Sequence, residues 1–338
     1  MSEVQQRTVS EDEADLRLDR WFRRHFPAMT QGAIQKLCRT GQVRVDGRRV
    51  EAATRLAAGQ AVRVPPLPPA RPATPARTHP PVDPHDAADL RAAVLYRDEQ
   101  VIVLNKPPGL PVQGGPGITR HLDGMLDALA FDGARPRLVH RLDRDTSGVL
   151  LLARTPGVAA RLAAAFRSRD MEKIYWAVVA RRPPVDEGRI DLPLRRIEGA
   201  HGAYGGERSE PAPDDPDAAR AITDYRVLDH AGRKLAWLEL RPLTGRTHQL
   251  RVHCVAIGAP ILGDVTYARP DQNNAFAATV EGLSDTLHLH AHALRLPHPA
   301  GGVLEVEAPL PAHMRETFRT LGFTAPAPRP ARRTARAG

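Results

Sequence analysis

A proline-rich stretch constrains the fold of this chain more than any other feature. Between Pro65 and Pro84 nine of the twenty residues are proline, and most of the others are Ala, Arg and Thr. Proline fixes φ and has no backbone N–H, so such a segment favours extended polyproline conformations and cannot bury a core. The 338-residue chain is therefore predicted to form two folded units joined by a semi-rigid linker at residues 66–89.

Residues 14–65 have the pattern of two short helices followed by a small sheet. Leu18, Trp21 and Phe22 are spaced as one face of a helix, and Thr30 is placed to cap the second helix. The segment after it alternates as strands around an Asp-Gly turn. The residues that carry the second helix and the strands are Ile34, Leu37, Cys38, Val43, Val45, Val62 and Val64, with Gly41 ending the helix and the turn at Asp46-Gly47.

Positive charge is concentrated in the same segment. The whole chain has a formal net charge of +9 and a pI near 10.2. From Arg17 to Arg63 there are eleven Lys and Arg against three acidic residues, a net charge of +8. This concentration predicts a polyanionic partner, although a solvated basic face would give the same pattern.

The N-terminal pattern resembles the S4 RNA-binding domain. The resemblance is carried by Arg17-Leu18-Asp19 and by the segment Gly41-Gln42-Val43-Arg44-Val45-Asp46-Gly47. It implies RNA as the partner of this small α/β unit. It also implies that cationic side chains of the unit contact phosphates; the candidates are Arg20, Lys36, Arg39 and Arg44.

Residues 90–323 alternate β-type runs with helical stretches. This order indicates an α+β domain with a mainly antiparallel mixed sheet. Residues 199–217 are predicted to form a surface loop without chemistry, and residues 324–338 a disordered basic tail. The predicted strands are 101–104, 149–152, 174–179, 223–228 and 235–240, and the predicted helices are 157–166 and 247–257.

A charged motif precedes one of the predicted strands. Residues 140–148 read His-Arg-Leu-Asp-Arg-Asp-Thr-Ser-Gly, directly before the apolar run 149–152. Charged groups at the end of a buried strand usually mark a site. The motif resembles the signature of the RluA family of pseudouridine synthases, whose catalytic aspartate follows Arg-Leu. The resemblance implies an RNA-modifying enzyme with Asp143 as its catalytic carboxylate.

Two further motifs resemble the same family. Lys173-Ile174-Tyr175-Trp176-Ala177 matches Lys-x-Tyr-x-Ala, which implies that Tyr175 stacks on the uracil. Residues 245–253, Gly-Arg-Thr-His-Gln-Leu-Arg-Val-His, match a motif whose arginine forms a salt bridge with the catalytic aspartate. We assign this role to Arg251, inside the helix, because Arg246 at its first turn is better placed to meet phosphate or to fix the turn. Without the resemblance, a tyrosine on a strand is usually a core or edge residue.

Residues beside the catalytic aspartate are expected to contact the RNA. The resemblance implies that Arg141 enters the space left when the target nucleotide flips out of its helix. The alternative for Arg141 is a local ion pair with Asp145. His140 and Lys173 are further candidates for RNA contact.

The implied reaction needs little besides a carboxylate. It breaks the N1 to C1′ bond, rotates the uracil and rejoins it through C5, without redox change or group donor, so no cofactor is expected. A buried carboxylate also needs a cation nearby to stay ionised at neutral pH. The sequence leaves open whether Asp143 attacks C1′, attacks C6 or removes the 2′ proton.

The sequence offers little support for a metal site or a disulfide. His288, His290 and His292 would share one face of a strand and three imidazoles can bind zinc, but no fourth ligand is evident, so no metal is predicted. Cys38 and Cys254 fall in different predicted units, which makes a disulfide improbable.

The expected substrate is large-subunit (23S) ribosomal RNA. The S4-like unit and the Gly114-Gly115-Pro116-Gly117 loop resemble the branch of the family that modifies this RNA. The alternatives are a transfer RNA pseudouridine synthase with the same catalytic residues and a non-catalytic RNA-binding assembly factor.

The absence of a membrane-span-like run and of a secretion signal predicts a cytoplasmic protein that does not bind membranes. We expect a monomer.

Overall fold

The computed structural model describes residues 4–27, 29–67, 81–115, 117–131, 133–168, 170–197, 208–268 and 283–334. The chain divides into two compact units, residues 1–79 and residues 80–338. Most of the predicted linker, residues 68–80, lies outside the described residues. No helix among the described residues is long and apolar enough to cross a membrane.

The N-terminal unit packs two helices on a four-stranded sheet in the order β1-β4-β2-β3. Its elements are β1 (Gln5–Thr8), α1 (Leu18–His25), α2 (Gln31–Arg39), β2 (Arg44–Val45), β3 (Arg48–Arg49) and β4 (Ala61–Val64). The predicted apolar residues meet in one core, in which Leu18, Trp21 and Phe22 are fully buried. Thr30 caps α2 by accepting the N–H of Ala33, as predicted.

Residues before the predicted start at residue 14 also belong to the N-terminal unit. β1 pairs antiparallel with β4, and Val9 belongs to the core. Glu13 is also buried, where it accepts hydrogen bonds from the Trp21 indole and the His25 ring. Burial acts to raise the pKa of Glu13, but the hydrogen bonds of Ser10, Trp21 and His25 outweigh it and lower the pKa to about 2.

The C-terminal unit is built around one large, mostly antiparallel sheet. Its helices are α3 (Pro84–Ala92), α4 (Leu122–Met125), α5 (Pro156–Arg167), α6 (Gln249–Ala256) and α7 (Ala312–Leu321). Its strands are β5 (Val94–Arg97), β6 (Val101–Lys106), β7 (Arg137–Leu138), β8 (Ser147–Ala153), β9 (Glu172–Ala180), β10 (Glu187–Asp191), β11 (Leu194–Ile197), β12 (Arg208–Pro211), β13 (Ile222–Ala231), β14 (Leu235–Pro242), β15 (Leu289–Pro297), β16 (Val303–Glu307) and β17 (Arg332–Thr334).

The strand order of the large sheet is β10-β13-β14-β9-β15-β8-β6-β5, with β7 on β8 and β16 and β17 extending from β15. The five predicted strands and two predicted helices of this unit all form, at slightly different bounds. The α+β class with a mainly antiparallel sheet is confirmed. Among the described strands, β8 and β15 form the one parallel pair.

Three predicted boundaries in or beside this unit are wrong. The linker ends before residue 89, because Asp83 caps α3 and Pro84 occupies its first turn. Within the predicted loop 199–217, β12 pairs with β11. The predicted disordered tail is ordered as far as residue 334, because β17 pairs with β16 and Arg332 bonds Glu305.

The parallel pairing of β8 and β15 determines where the charged motif lies. Gly148 opposes Ala291 across this pair, and Tyr175 on β9 opposes the same alanine from the other side. Gly148 has φ +107°, and a Cβ there would lie 2.2 Å from the carbonyl oxygen of Ala291. Only glycine permits this close approach. The end of the charged motif is thereby fixed at the centre of the sheet, next to Tyr175.

Candidate active site

The loop that carries Asp143 is anchored from below by a buried lysine. Lys106 at the end of β6 is 1% exposed. Its Nζ donates to the carbonyl oxygens of Pro107, Leu110 and Arg144, at 2.8, 2.9 and 2.8 Å. The last contact joins Arg144, the residue after Asp143, to the end of β6. Lys106 was not among the predicted site residues.

Replacing Lys106 with methionine should destabilise the C-terminal unit, because three carbonyl oxygens lose their donor while the apolar stem is kept. Each buried polar group left without a partner costs about 1–3 kcal/mol. We expect a loss of about 3 kcal/mol or more, which corresponds to a melting temperature lower by roughly 6–12 °C. Thermal unfolding followed by circular dichroism measures this. The exposed Lys234→Met variant is the control, and an equal shift in both variants would contradict the anchoring role.

His140 holds the other end of the same loop. Its Nε2 accepts the backbone N–H of Leu151 at 2.8 Å, and its ring stacks on Phe166 with centroids 4.5 Å apart. Loss of solvent around the imidazole, and secondarily Lys173, lower its pKa to about 3. The ring is therefore neutral and occupied by an internal contact. This anchoring contact was not predicted, and the predicted RNA contact of His140 stays a prediction.

A cavity of about 170 Å³ lies in front of Asp143. This volume is below the roughly 300 Å³ at which pockets for drug-sized ligands begin, and it suits a single planar base. The Asp143 side chain is 22% exposed and lies in the wall of the cavity. The other predicted residues in the wall are Arg141, Lys173, Tyr175, Arg246 and Arg251.

The predicted salt bridge between Arg251 and Asp143 is not formed. Arg251 pairs instead with Asp264, through Nε at 2.8 Å and Nη2 at 2.6 Å. Both side chains are almost completely buried, at 6% and 0% exposure. The reason is geometric, since the turn after α6 places Asp264 directly against the guanidinium. The side-chain group nearest to the Asp143 carboxylate among the described ion pairs is His248, whose Nε2 lies 3.8 Å from Oδ2.

The charge of Asp143 acts on several buried groups around it. Burial lowers the pKa of Lys106 to about 7, although the charges of Asp145 and Asp143 act to raise it. Burial also acts to lower the pKa of Arg251, but Asp264 and then Asp143 outweigh it. The Tyr175 hydroxyl has a raised pKa because of burial and the nearby Asp143 charge. Asp143 therefore lies near a buried lysine, a buried tyrosine and a buried arginine, and its charge acts on all three.

The loop at the other side of the cavity is shaped by Gln249. This buried amide accepts the backbone N–H of Arg246 and the Thr244 hydroxyl, and donates to Ile222 and Thr223. The Arg246 side chain is exposed at the rim of the cavity, where its Nε donates to the Arg220 carbonyl. This position suits contact with phosphate. Sequence reasoning missed Gln249, although it lies within the predicted motif.

Asp145, the partner in the local alternative for Arg141, forms an ion pair with Arg144 at 3.1 Å. Of the three alternating histidines, His292 stacks on Trp176 and the other two form hydrogen bonds. His290 bonds Ser147 at 2.9 Å and the Ala308 carbonyl at 3.2 Å, and His288 bonds Thr317 at 2.8 Å. No group of three potential metal ligands occurs among the residues that the structure describes.

The N-terminal unit has a groove of about 730 Å³ with basic walls. Of the four predicted phosphate contacts, Arg39 lines this groove, together with Arg17 and Arg49. The other three, Arg20, Lys36 and Arg44, are exposed on the same unit but outside the groove lining. Arg17 and Arg49 were missed as site residues, although Arg17 belongs to the Arg-Leu-Asp segment on which the resemblance depends.

Two family models match the chain. Residues 100–256 match RNA pseudouridylate synthase, and residues 16–62 match the S4 domain. The chain is 32% identical to ribosomal large subunit pseudouridine synthase C of Vibrio cholerae, over 95% of this chain and 98% of that protein. It is 33% identical to the Escherichia coli K12 protein of the same name, over 93% and 95%.

A solved structure of the same class of enzyme is also similar to this chain. Human RNA pseudouridylate synthase domain containing 4 matches with a TM-score of 0.59 and 30% identity, over 71% of this chain and 97% of that one. The antiparallel sheet and its base-sized cavity are thus those of an RNA pseudouridine synthase. The chain belongs to the RluA family of these enzymes and carries an S4 domain at its N-terminus. It is an isomerase that moves uracil from an N- to a C-glycosidic linkage.

Proposed function

We propose that this enzyme converts specific uridines of large-subunit (23S) ribosomal RNA to pseudouridine, with Asp143 as the catalytic carboxylate and without a cofactor. The main support for the substrate is the similarity to relatives named large-subunit enzymes, which extends over 95% of the chain and includes the S4 domain. The main support for the residue is that Asp143 faces a base-sized cavity beside Tyr175. The cytoplasm remains our expected compartment and the monomer our expected state.

The other wall residues have distinct proposed roles. Tyr175 stacks on the uracil and keeps it in place after the glycosidic bond breaks. Arg251, held by Asp264, places a guanidinium in the wall of the cavity beside Asp143. Arg141 fills the space of the flipped nucleotide, and Lys173 and Arg246 contact phosphates at the rim.

The substrate is tested by tritium release from C5-labelled uridine. The purified protein is mixed with unmodified large-subunit ribosomal RNA or with unmodified transfer RNA. We expect release from the ribosomal RNA only. Release from transfer RNA alone would overturn the proposed substrate. Tight binding of ribosomal RNA without release would overturn the proposal for free RNA and favour a role in ribosome assembly.

Replacing Arg20, Lys36, Arg39 and Arg44 together with glutamine should weaken RNA binding and make it less sensitive to salt. No carboxylate of the described residues lies within ion-pair distance of these four side chains. If each contacts one phosphate, the slope of log affinity against log salt becomes shallower by about 3. Filter binding between 50 and 200 mM salt, roughly the range over which such effects are large, measures the slope.

A matched control removes the same charge from arginines that already have an acidic partner. These arginines are Arg24, Arg55, Arg189 and Arg220, each within 2.6–2.9 Å of an aspartate. Their replacement by glutamine should change the slope less, because the paired aspartates repel phosphate. Equal slopes for the two variants would show that only net charge matters, and would remove the four predicted contacts.

A further inference from the structure

Among the described ion pairs, His248 is the partner of the proposed catalytic carboxylate, and the proposed mechanism has no use for it. It lines the cavity, its side chain is 15% exposed, and its Nε2 lies 3.8 Å from Oδ2 of Asp143. It precedes α6 in the left-handed region, with φ 53° and ψ 21°. A non-glycine residue in this region costs of order 1–3 kcal/mol and is concentrated at functional sites.

A chain of hydrogen bonds fixes the ring of His248 from behind. The Tyr267 hydroxyl oxygen accepts the backbone N–H of Ser209 at 2.9 Å and lies 2.8 Å from Nδ1 of His248. We infer that the hydroxyl, whose oxygen accepts from Ser209, donates its own hydrogen to Nδ1. Nδ1 is then the acceptor of the imidazole, and Nε2 carries the hydrogen that faces Asp143.

The backbone around Tyr267 is held as firmly as its hydroxyl. Asp264 Oδ1 accepts the N–H groups of Thr266 and Tyr267, at 2.9 and 3.1 Å. The guanidinium of Arg251 lies 5.1 Å from the centre of the Tyr267 ring. On the other side, β12 supplies Ser209. The strand therefore gives the predicted loop 199–217 a role in the site that the sequence did not indicate.

We propose that His248 is a positioning residue for Asp143, oriented by Tyr267 so that its neutral imidazole donates a hydrogen bond from Nε2 to the carboxylate. The separation of 3.8 Å shortens to hydrogen-bond distance when uridine fills the cavity, as happens for many catalytic contacts on substrate binding. The hydrogen bond holds one carboxylate oxygen and leaves the other directed at the nucleotide. Burial lowers the pKa of His248, although the charge of Asp143 acts to raise it. The net lowering keeps the ring neutral.

The test compares two amides that reach different distances. In His248→Asn the amide matches the Nδ1 side of the ring, contacts Tyr267 and does not reach Asp143. In His248→Gln the longer side chain places an N–H donor near the former Nε2. Asparagine is among the non-glycine residues that adopt the left-handed region most readily. A loss of activity in the asparagine variant is therefore not explained by backbone strain.

We expect the single-turnover rate of His248→Asn to fall roughly 10- to 100-fold, the size typical of a lost outer hydrogen bond at a catalytic group. RNA affinity should stay within about twofold, and His248→Gln should recover most of the rate. Tyr267→Phe should lower the rate less, and should have little further effect in combination with His248→Asn. The full-length protein and large-subunit ribosomal RNA are used throughout.

The inference rests on the proposed function, and the wild-type protein separates the two. If the wild type gives no turnover on this RNA, the proposed substrate is wrong. If the wild type turns over and His248→Asn does so at the same rate, the positioning role is wrong while the substrate stands. If His248→Asn does not fold, a wild-type rate for Tyr267→Phe overturns the inference instead.

Discussion

Asp143→Asn should lose turnover on its RNA by a factor of roughly 10⁴ or more while keeping RNA affinity. The amide has almost the same shape as the carboxylate, but it carries no charge and is neither a nucleophile nor a base. Tritium release under single-turnover conditions measures the rate, and filter binding measures the affinity. Because the substitution removes a negative charge that faces RNA phosphates, the affinity should be unchanged or slightly higher.

Asp145→Asn is the matched control for this variant. Asp145 lies two residues further along the same loop, pairs with Arg144, and is 38% exposed against 22% for Asp143. The control has the same change in charge and in atoms, so it should keep most of the activity if the chemistry belongs to Asp143 alone. Turnover by Asp143→Asn above about 1% of the wild-type rate, a barrier difference of less than about 3 kcal/mol, would contradict the assignment.

Local sequence motifs were sufficient to predict part of the site. Asp143 and Tyr175 were predicted from two separate motifs, and β8, β15 and β9 bring them to one cavity at the centre of the sheet. The partner of Arg251 could not be predicted in the same way. It depends on the path of the turn after α6, and a motif gives the residue without giving the contacts that tertiary packing creates.

The errors in boundaries have two different causes. For α3 the signals were present, since Asp83 and Pro84 are a typical helix start, but the proline-rich composition around them obscured it. For the tail no local signal existed. Its order comes from contacts with a distant strand, where Arg329 and Arg332 bond Glu307 and Glu305 of β16. Composition alone predicts disorder for such a segment because it does not include the surface on which the segment folds.

The buried pair of Arg251 and Asp264 should have the largest effect on stability. Asp264→Asn keeps the acceptor for the turn after α6 but leaves the buried guanidinium of Arg251 without a counter-charge. Breaking a buried ion pair in this way costs about 3–5 kcal/mol. Chemical denaturation of the full-length protein, with the transition of the C-terminal unit followed separately, measures the loss.

An exposed pair of the same geometry provides the control. Arg189 contacts Asp224 through two bonds of 2.6 and 2.9 Å, but these side chains are 59% and 35% exposed. Asp224→Asn should therefore cost no more than about 1 kcal/mol. If both variants lose the same free energy of unfolding, burial does not increase the contribution of the Arg251 pair to stability.

The variant Arg251→Met/Asp264→Asn separates the two roles of the arginine. It removes the buried charge together with its partner, so much of the stability lost in Asp264→Asn should return. Turnover should nevertheless stay low, because the guanidinium in the wall of the cavity beside Asp143 is gone. Recovery of both stability and turnover would mean that Arg251 only supports the fold. Recovery of stability alone would show that the Arg251 guanidinium contributes to the reaction as well as to the fold, even though it forms no ion pair with Asp143.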